Sequence, residues 1–229
     1  PPFITSTLQQ EAWRKLRFTV SQTMAIAQQL YEGLPIGSEG NVGLITYMRT
    51  DSTHVAHSAV AEAREYIASK FGAKYLPPHA RTFVRSGKFV QEAHEAIRPT
   101  RIQREPSLLK SYLTAPQLKL YDLIWKRMLA SQMSPALFDS TTVDIEASCH
   151  ESKTNYLLRT TTLVNLFPGF MKLYIESKDE EEEEKTSPLP PLERGDELKL
   201  IDLFTEQRFT QPPPRFTEAT LVKILEQYG

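Results

Sequence analysis

The stretch Gly43-Leu-Ile-Thr-Tyr47-Met-Arg49-Thr-Asp51-Ser52 sets a phenol, a guanidinium, a carboxylate and several hydroxyl groups directly behind a short apolar run. The apolar residues at 42, 44 and 45 predict a short buried strand that leads into these polar residues. Side chains two positions apart in an extended chain point the same way, so we expect Tyr47 and Arg49 on one face. The stretch therefore predicts a polar site at the end of a buried element.

The stretch alone leaves two interpretations of its polar residues open. A tyrosine is a poor nucleophile at neutral pH, because its phenol ionises near pKa ~10, and a nearby cation lowers that barrier. Arg49 could supply the cation and hold two oxygens of a phosphodiester while Tyr47 attacks the phosphorus. In the other interpretation, Tyr47 is a half-buried strand residue beside an ion-paired Arg49.

Length and cysteine content limit the class of protein. A chain of 229 residues can bury a sizeable core and form one large or two small domains. The single cysteine, Cys149, excludes an intrachain disulfide and favours a cytosolic protein. No apolar run approaches the roughly 20 residues that span a bilayer, so we expect a soluble protein with no membrane partner.

The net charge is −1, but the charged residues are unevenly distributed along the chain. Residues 1–110 carry 14 lysines and arginines against 9 aspartates and glutamates, whereas residues 111–229 carry 13 against 19. The first half is therefore the candidate surface for a polyanion such as DNA. An excess of this size is also found on ordinary solvated surfaces.

Helical periodicity dominates the first half of the chain. Two helices are expected before the central stretch, and the second has Tyr31 on its apolar face and Gly33 as its C-terminal stop. A surface hairpin or loop should then lead to the central stretch. Ser52 or Thr53 is expected to cap a third helix, which Gly72 ends.

The periodicity changes after a further helix that begins at Thr114. Residues 143–147 alternate between apolar and acidic side chains, which is typical of a half-buried strand. Further strands are expected over residues 156–164, 170–175 and 197–204. An acidic and proline-rich loop over 178–195 interrupts them, and a last helix begins near Thr217. The pattern predicts an α+β protein, with a mostly helical part followed by a β-rich part.

Four blocks of the sequence resemble the type IA DNA topoisomerases, in the order in which that family has them. The central stretch resembles the active-site tyrosine motif, and Met48 within it resembles the bacterial topoisomerase I branch. The other three blocks are Pro2-Phe-Ile-Thr-Ser-Thr-Leu-Gln-Gln10, Gln91-Glu-Ala-His94-Glu-Ala-Ile-Arg98-Pro99 and Arg215-Phe-Thr-Glu-Ala-Thr-Leu-Val-Lys223. They cover the chain nearly end to end, and they favour the catalytic interpretation of the tyrosine.

The resemblance implies an enzyme that relaxes negatively supercoiled DNA without ATP. Its tyrosine breaks one strand through a 5′-phosphotyrosyl link, the other strand passes, and the break is resealed. Tyr47 is then the nucleophile, Arg49 positions tyrosine and scissile phosphate, and His94 contributes to DNA binding. The resemblance also assigns Arg98, Thr50 and Asp51 to the DNA-binding site.

The same resemblance implies a toroidal enzyme divided among several domains. Residues 1–110 would form the helical tyrosine domain, with a winged-helix or catabolite-activator-like arrangement. Residues 111–212 would form a helix and the antiparallel β-rich arch that hinges the ring, and residues 213–229 would begin the next helical DNA-binding domain.

The family's acidic magnesium-binding domain has no counterpart in this sequence. We therefore expect a fragment that binds no metal of its own and is inactive by itself, with Mg²⁺ held elsewhere in the intact enzyme. We also expect the protein to be a monomer in the bacterial cytoplasm, associated with the nucleoid. Its expected partners are single-stranded and negatively supercoiled DNA. The alternative function is a non-catalytic module that binds single-stranded DNA.

Overall fold

The structure is a computed structural model that describes residues 1–83, 94–148, 155–177 and 189–228. The chain forms two compact units. The first, here the helical unit, comprises Pro1–Ala136, Pro168–Glu181 and Phe216–Gly229. The second, here the ribbon unit, comprises Leu137–Phe167 and Glu182–Arg215.

The described residues of the helical unit form five α-helices. They are α1 (Thr5–Leu16), α2 (Val20–Glu32), α3 (His57–Phe71), α4 (Ala115–Gln132) and α5 (Glu218–Tyr228). Helix α4 is the central one, since 12 of its 18 residues are buried and it contacts α1, α2 and α3. A helix buried on most sides must satisfy its polar groups internally. Accordingly, the Tyr121 hydroxyl donates to the Arg104 carbonyl at 2.7 Å, and the Trp125 indole donates to the Ile102 carbonyl at 2.9 Å.

Local capping signals correctly predicted several helix ends. Gly33 ends α2 and Gly72 ends α3, as expected from the sequence. Helix α4 begins after Thr114, whose backbone amide donates to the Gln117 side chain at 2.9 Å. The predicted surface hairpin is also present, with β1 (Leu34–Pro35) antiparallel to β2 (Asn41–Val42).

Two predictions around the central stretch are wrong. The ladder of β2 ends at Val42, and the buried residues that follow pair with other segments: the Leu44 amide donates to the Leu30 carbonyl at 2.7 Å. Helix α3 begins at His57 with Ala56 at its N-cap, so neither Ser52 nor Thr53 caps it. The hydroxyl groups of Thr50 and Ser52 instead accept from backbone amides two residues further on.

The ribbon unit is built on one long antiparallel pair, β3 (Leu137–Ser148) and β4 (Asn155–Phe167). In β3, residues 143, 145 and 147 are half-buried and residues 144, 146 and 148 are exposed, so the predicted alternation is confirmed. The predicted strand over 156–164 is also confirmed as part of β4.

The other two predicted strands do not form. Gly169–Lys172 is a 3-10 helix in the helical unit, and the Tyr174 amide donates to the Phe170 carbonyl at 3.1 Å, which satisfies the backbone locally. Residues 197–204 pair with no strand among the described residues, and their apolar side chains, such as Ile201 and Phe204, are exposed. An alternating pattern without a neighbouring edge to bond cannot make a ladder.

The predicted α+β class is confirmed, with a helical part and an antiparallel β part. Residues 178–188 of the predicted acidic loop lie outside the described residues, and 189–195 have no helix or strand. Cys149 also lies outside them. Among the helices of the described segments, none is both long and apolar enough to cross a membrane.

Candidate active site

The residues just before Tyr47 are hydrogen-bonded to residues 96–100. Ile45 and Pro99 form an isolated antiparallel bridge. The Thr46 amide donates to the Arg98 carbonyl at 2.9 Å, and the Thr46 hydroxyl donates to the Ala96 carbonyl at 2.7 Å. These bonds join two of the sequence blocks that lie about 50 residues apart along the chain.

The residues just after Tyr47 are hydrogen-bonded to Thr5, the first residue of α1. The Thr5 hydroxyl lies 2.8 Å from the Met48 carbonyl and 3.0 Å from the Thr50 carbonyl, both of which can accept from it. The Thr5 amide donates to the Thr50 carbonyl at 2.9 Å, and the Thr50 amide donates to the Thr5 hydroxyl at 2.8 Å. Both flanks of Tyr47 are therefore held by main-chain hydrogen bonds.

Side chains alternate between solvent and core along this segment. Tyr47, Arg49 and Asp51 are exposed, whereas Met48 and Thr50 are 1% and 6% exposed. Tyr47 and Arg49 are both exposed, as the prediction that they share a face requires, and Arg49 but not Tyr47 lines the cleft described below. The buried Met48 anchors the segment while its neighbours face solvent.

The Tyr47 ring lies close to two other rings. Its centroid is 5.3 Å from the Tyr31 ring at an interplanar angle of 62°, and 6.3 Å from the His94 ring at 46°. Tyr47 and Tyr31 are each 40% exposed. No hydrogen bond joins the Tyr47 hydroxyl to another residue in the part of the chain that the structure describes.

The expected core position of Tyr31 is wrong. The buried side of α2 is formed by Thr23, Ile26, Ala27 and Leu30, which follow the i, i+3, i+4, i+7 spacing. Tyr31 follows Leu30 and is turned about 100° further round the helix, because a turn takes 3.6 residues. It therefore leaves the core and reaches Tyr47.

A cleft of about 360 Å³ opens beside this aromatic group. Four of the predicted site residues line it: Arg49, Thr50, Asp51 and His94. Residues 4–6 at the start of α1 and Glu226 on α5 complete its walls. Within the described segments, no ion pair or hydrogen bond engages Arg49, so its charge faces the cleft without a protein partner there.

Arg98 is not among the residues that line the cleft. Its side chain is 13% exposed, with Nη2 2.5 Å from the Glu95 carboxylate and Nη1 donating to the Pro99 carbonyl at 3.0 Å. Glu95 also accepts from the Ala56 amide at 2.9 Å. Arg98 thus braces the chain that carries His94 against the approach to α3.

The residues present do not fit a divalent metal ion. Across the described ranges, no three histidine, cysteine, aspartate or glutamate side chains lie together as a ligand set. The cleft has two carboxylates, Asp51 and Glu226, and Mg²⁺ needs near-octahedral oxygen coordination. No reaction step is therefore assigned to a metal held by these residues.

Several residues of the site were not singled out from the sequence. Thr5, Ser6 and Thr46 lie inside quoted sequence blocks, so their place in those blocks was an available signal. Glu226 had no such signal, because only the contact between α1 and α5 brings it to the cleft. The Gln10 side chain lies 3.5 Å from its carboxylate.

The fold and the cleft define a helical unit that presents a half-exposed tyrosine beside a cationic and hydroxyl-lined surface. Comparison with known proteins adds the family. A family model described as DNA topoisomerase matches residues 1–229. The chain is 48% identical over 232 residues to DNA topoisomerase 1 of two Xylella fastidiosa strains, Temecula1 and 9a5c, covering 100% of this chain and 28% of each relative.

A solved structure agrees with these matches. Full-length topoisomerase I from Thermotoga maritima superposes with a TM-score of 0.81 and 41% identity, covering 100% of this chain and 35% of that one. The chain belongs to the DNA topoisomerase family, and its resemblance to the bacterial type IA branch is confirmed. It spans little more than a quarter of the length of the curated relatives it matches.

Proposed function

We propose that this chain supplies the nucleophile of a type IA DNA topoisomerase that relaxes negatively supercoiled DNA by transient cleavage of one strand. The observation that carries the proposal is the meeting of two distant sequence blocks around one cleft. Arg49 comes from the first block and His94 from the second, and the half-exposed Tyr47 ring packs against the His94 ring.

In the proposed reaction, the Tyr47 phenolic oxygen attacks a phosphorus of single-stranded DNA. A P–O bond forms to the tyrosine and the P–O bond to the 3′ oxygen of the neighbouring nucleotide breaks. The phenolic proton ends on that 3′ hydroxyl, and the 5′ phosphate stays on the protein. Resealing is the reverse, and since one phosphodiester replaces another, no ATP is consumed.

Arg49 is proposed to neutralise charge on the scissile phosphate and to hold it in line with the tyrosine oxygen. A guanidinium fork matches two phosphate oxygens, and its exposure in the cleft leaves it accessible to them. Placement and charge stabilisation of this kind account for much of enzymatic phosphoryl chemistry.

The other predicted site residues differ in their exposure and contacts, so the proposal gives them different roles. His94 and Asp51 line the cleft with exposed or half-exposed side chains, which suits direct contact with a strand. Thr50 is 6% exposed and its hydroxyl accepts from the Ser52 amide, so we propose that it contributes to the shape of the cleft and does not contact DNA through its hydroxyl. For Arg98, contact with DNA stays a prediction, because its described contacts are internal.

We further propose that Mg²⁺, if the intact enzyme uses it, is bound outside these residues. A protein of the relatives' length would act as a monomer on DNA in the bacterial cytoplasm, close to the nucleoid. The chain in isolation would bind single strands weakly and relax nothing. The alternative, a non-catalytic module for single-stranded DNA, would bind with a steep salt dependence and form no adduct.

The test uses a protein of the relatives' length that contains this chain. Single-stranded DNA labelled at its 3′ or 5′ end is incubated with it and Mg²⁺, and the reaction is stopped with detergent. A 5′-phosphotyrosyl link predicts that the 3′ label follows the protein and the 5′ label is released. Peptide mapping should locate the adduct on Tyr47, and Tyr47→Phe should abolish it.

Tyr112 provides a matched control. It is 48% exposed and lines a separate cleft, so Tyr112→Phe should form the adduct at the natural rate. An adduct that persists in Tyr47→Phe would overturn the assignment, and binding without any adduct in the natural protein would favour the DNA-binding module.

A further inference from the structure

Tyr31, on the last turn of α2, is the described residue whose ring lies closest to that of Tyr47. The centroids are 5.3 Å apart and the rings are inclined at 62°, which is an edge-to-face arrangement. Pairs of this kind contribute beyond the area they bury, because the positive edge of one ring meets the negative face of the other. The sequence had suggested only a core role for Tyr31.

The orientation of the Tyr47 phenol depends on ring packing. Hydrogen bonds of Thr46 and Thr50 fix the main chain on both sides, but they leave χ1 and χ2 of Tyr47 free. Among the described residues, no side chain hydrogen-bonds to its hydroxyl. The Tyr31 and His94 rings lie close enough to the Tyr47 ring to limit where its phenolic oxygen points.

The backbone of Tyr31 is itself firmly seated. The last turn of α2 is joined to the segment that carries Tyr47, because the Leu44 amide donates to the Leu30 carbonyl at 2.7 Å. The Tyr31 carbonyl lies so close to Gly43 that a Cβ added there would be 2.7 Å from it. The helix end and the segment that leads to Tyr47 therefore form one tightly packed unit, with little room for either to shift.

We propose that Tyr31 is a positioning residue for strand cleavage, which holds the Tyr47 ring so that its oxygen faces the scissile phosphate. This inference rests on the proposed function of Tyr47. The contact is made by the ring and not by the Tyr31 hydroxyl, so phenylalanine should serve in its place. A branched aliphatic side chain should not, because it has no ring edge to offer.

The test compares Tyr31→Phe and Tyr31→Leu in a protein of the relatives' length. Single-turnover adduct formation is measured at saturating single-stranded DNA, and the dissociation constant for the strand is measured separately. Tyr31→Leu should lower the cleavage rate roughly three- to tenfold and leave the dissociation constant within twofold. Tyr31→Phe should retain the natural rate, and Tyr112→Leu serves as the control for loss of an exposed tyrosine.

Thermal unfolding of each variant separates positioning from folding. The proposal predicts a slow Tyr31→Leu enzyme whose Tm is close to that of Tyr112→Leu. It is overturned by an unchanged cleavage rate in Tyr31→Leu, by weaker DNA binding with an unchanged rate, or by a defect in Tyr31→Phe as large as that in Tyr31→Leu. Failure of the proposed function gives a different result, since an adduct would then persist in Tyr47→Phe.

Discussion

The Thr46 amide donates to the Arg98 carbonyl at 2.9 Å, and the Arg98 amide donates back to the Thr46 hydroxyl at 3.0 Å. This reciprocal pair fastens the residue before Tyr47 to the chain that carries His94. Because these bonds hold the two blocks together, we expect the cleft that Arg49 and His94 line to be formed before a strand binds. A site that is preformed in this way spends less binding energy on ordering itself.

Removing the Thr46 hydroxyl should lower both the free energy of unfolding and the rate of DNA cleavage. Thr46→Val keeps the shape of the side chain but leaves the Ala96 carbonyl and the Arg98 amide without their partner. Unsatisfied buried groups cost about 1–3 kcal/mol each, so we expect a loss of roughly that size in urea unfolding and slower adduct formation. Thr46→Ser keeps the hydroxyl and should stay within about 0.5 kcal/mol. Equal stability of the valine and serine variants would contradict this account.

Replacing Arg49 should affect chemistry without affecting folding. Its side chain is exposed and pairs with none of the residues the structure describes, so Arg49→Ala should leave the free energy of unfolding within about 0.5 kcal/mol. The rate of adduct formation should fall roughly 100- to 1000-fold, which is typical of losing a group that stabilises transition-state charge. Arg49→Lys should recover part of the rate.

Arg101 is a suitable control, since it is an exposed arginine beside a different cleft. Arg101→Ala should cleave at the natural rate. If Arg49→Ala proves unstable, or cleaves as fast as Arg101→Ala, the proposed role of its guanidinium is wrong.

Gly43 should tolerate no side chain. The need is for space, since Gly43 does not have a positive φ and an added Cβ would lie 2.7 Å from the Tyr31 carbonyl. The Tyr31 carbonyl is main chain and the position of a Cβ is fixed by its own backbone, so neither can rotate away and Gly43→Ala should destabilise the protein by about 1–3 kcal/mol. Asn41→Ala, at an exposed position of the neighbouring hairpin, should change stability by less than about 0.5 kcal/mol. A Gly43→Ala protein with an unchanged urea midpoint would show that the two segments can separate.

The ribbon unit offers a prediction about pH. A bidentate hydrogen bond from Arg159 holds the pKa of Asp144 below its usual value of 3.8, with the guanidinium charge as a further cause. Because the folded pKa is depressed, the stabilisation is present above pH 3.8 and is lost as the pH falls through the folded pKa. NMR titration should give a midpoint below 3.8 for the Asp144 carboxyl. Arg159→Gln should return it to that value, and a midpoint insensitive to this change would exclude the pair as the cause.

Local signals predicted the helix ends that neighbouring residues set and one strand whose partner follows it closely along the chain. Gly72 ended its helix as expected, Thr114 began another, and the alternation over residues 143–147 marked a strand. The same signals failed for residues 197–204, where a suitable pattern has no edge to bond among the described residues. They also failed for the start of α3, because Ser52 uses its hydroxyl in the loop.

For the site, the motif identified Tyr47 and Arg49 as chemically unusual neighbours, and both side chains are exposed as expected. The sequence by itself determined the helices with strong caps, the order of the four blocks that resemble the family and the reactive groups, because these depend on spacing over a few residues. Only the tertiary structure decided that Tyr31 leaves the core for Tyr47, that Arg98 turns inward and that Glu226 reaches the cleft. Those contacts join residues that are distant along the chain, and they exist only where the packing of whole helices brings the two surfaces together.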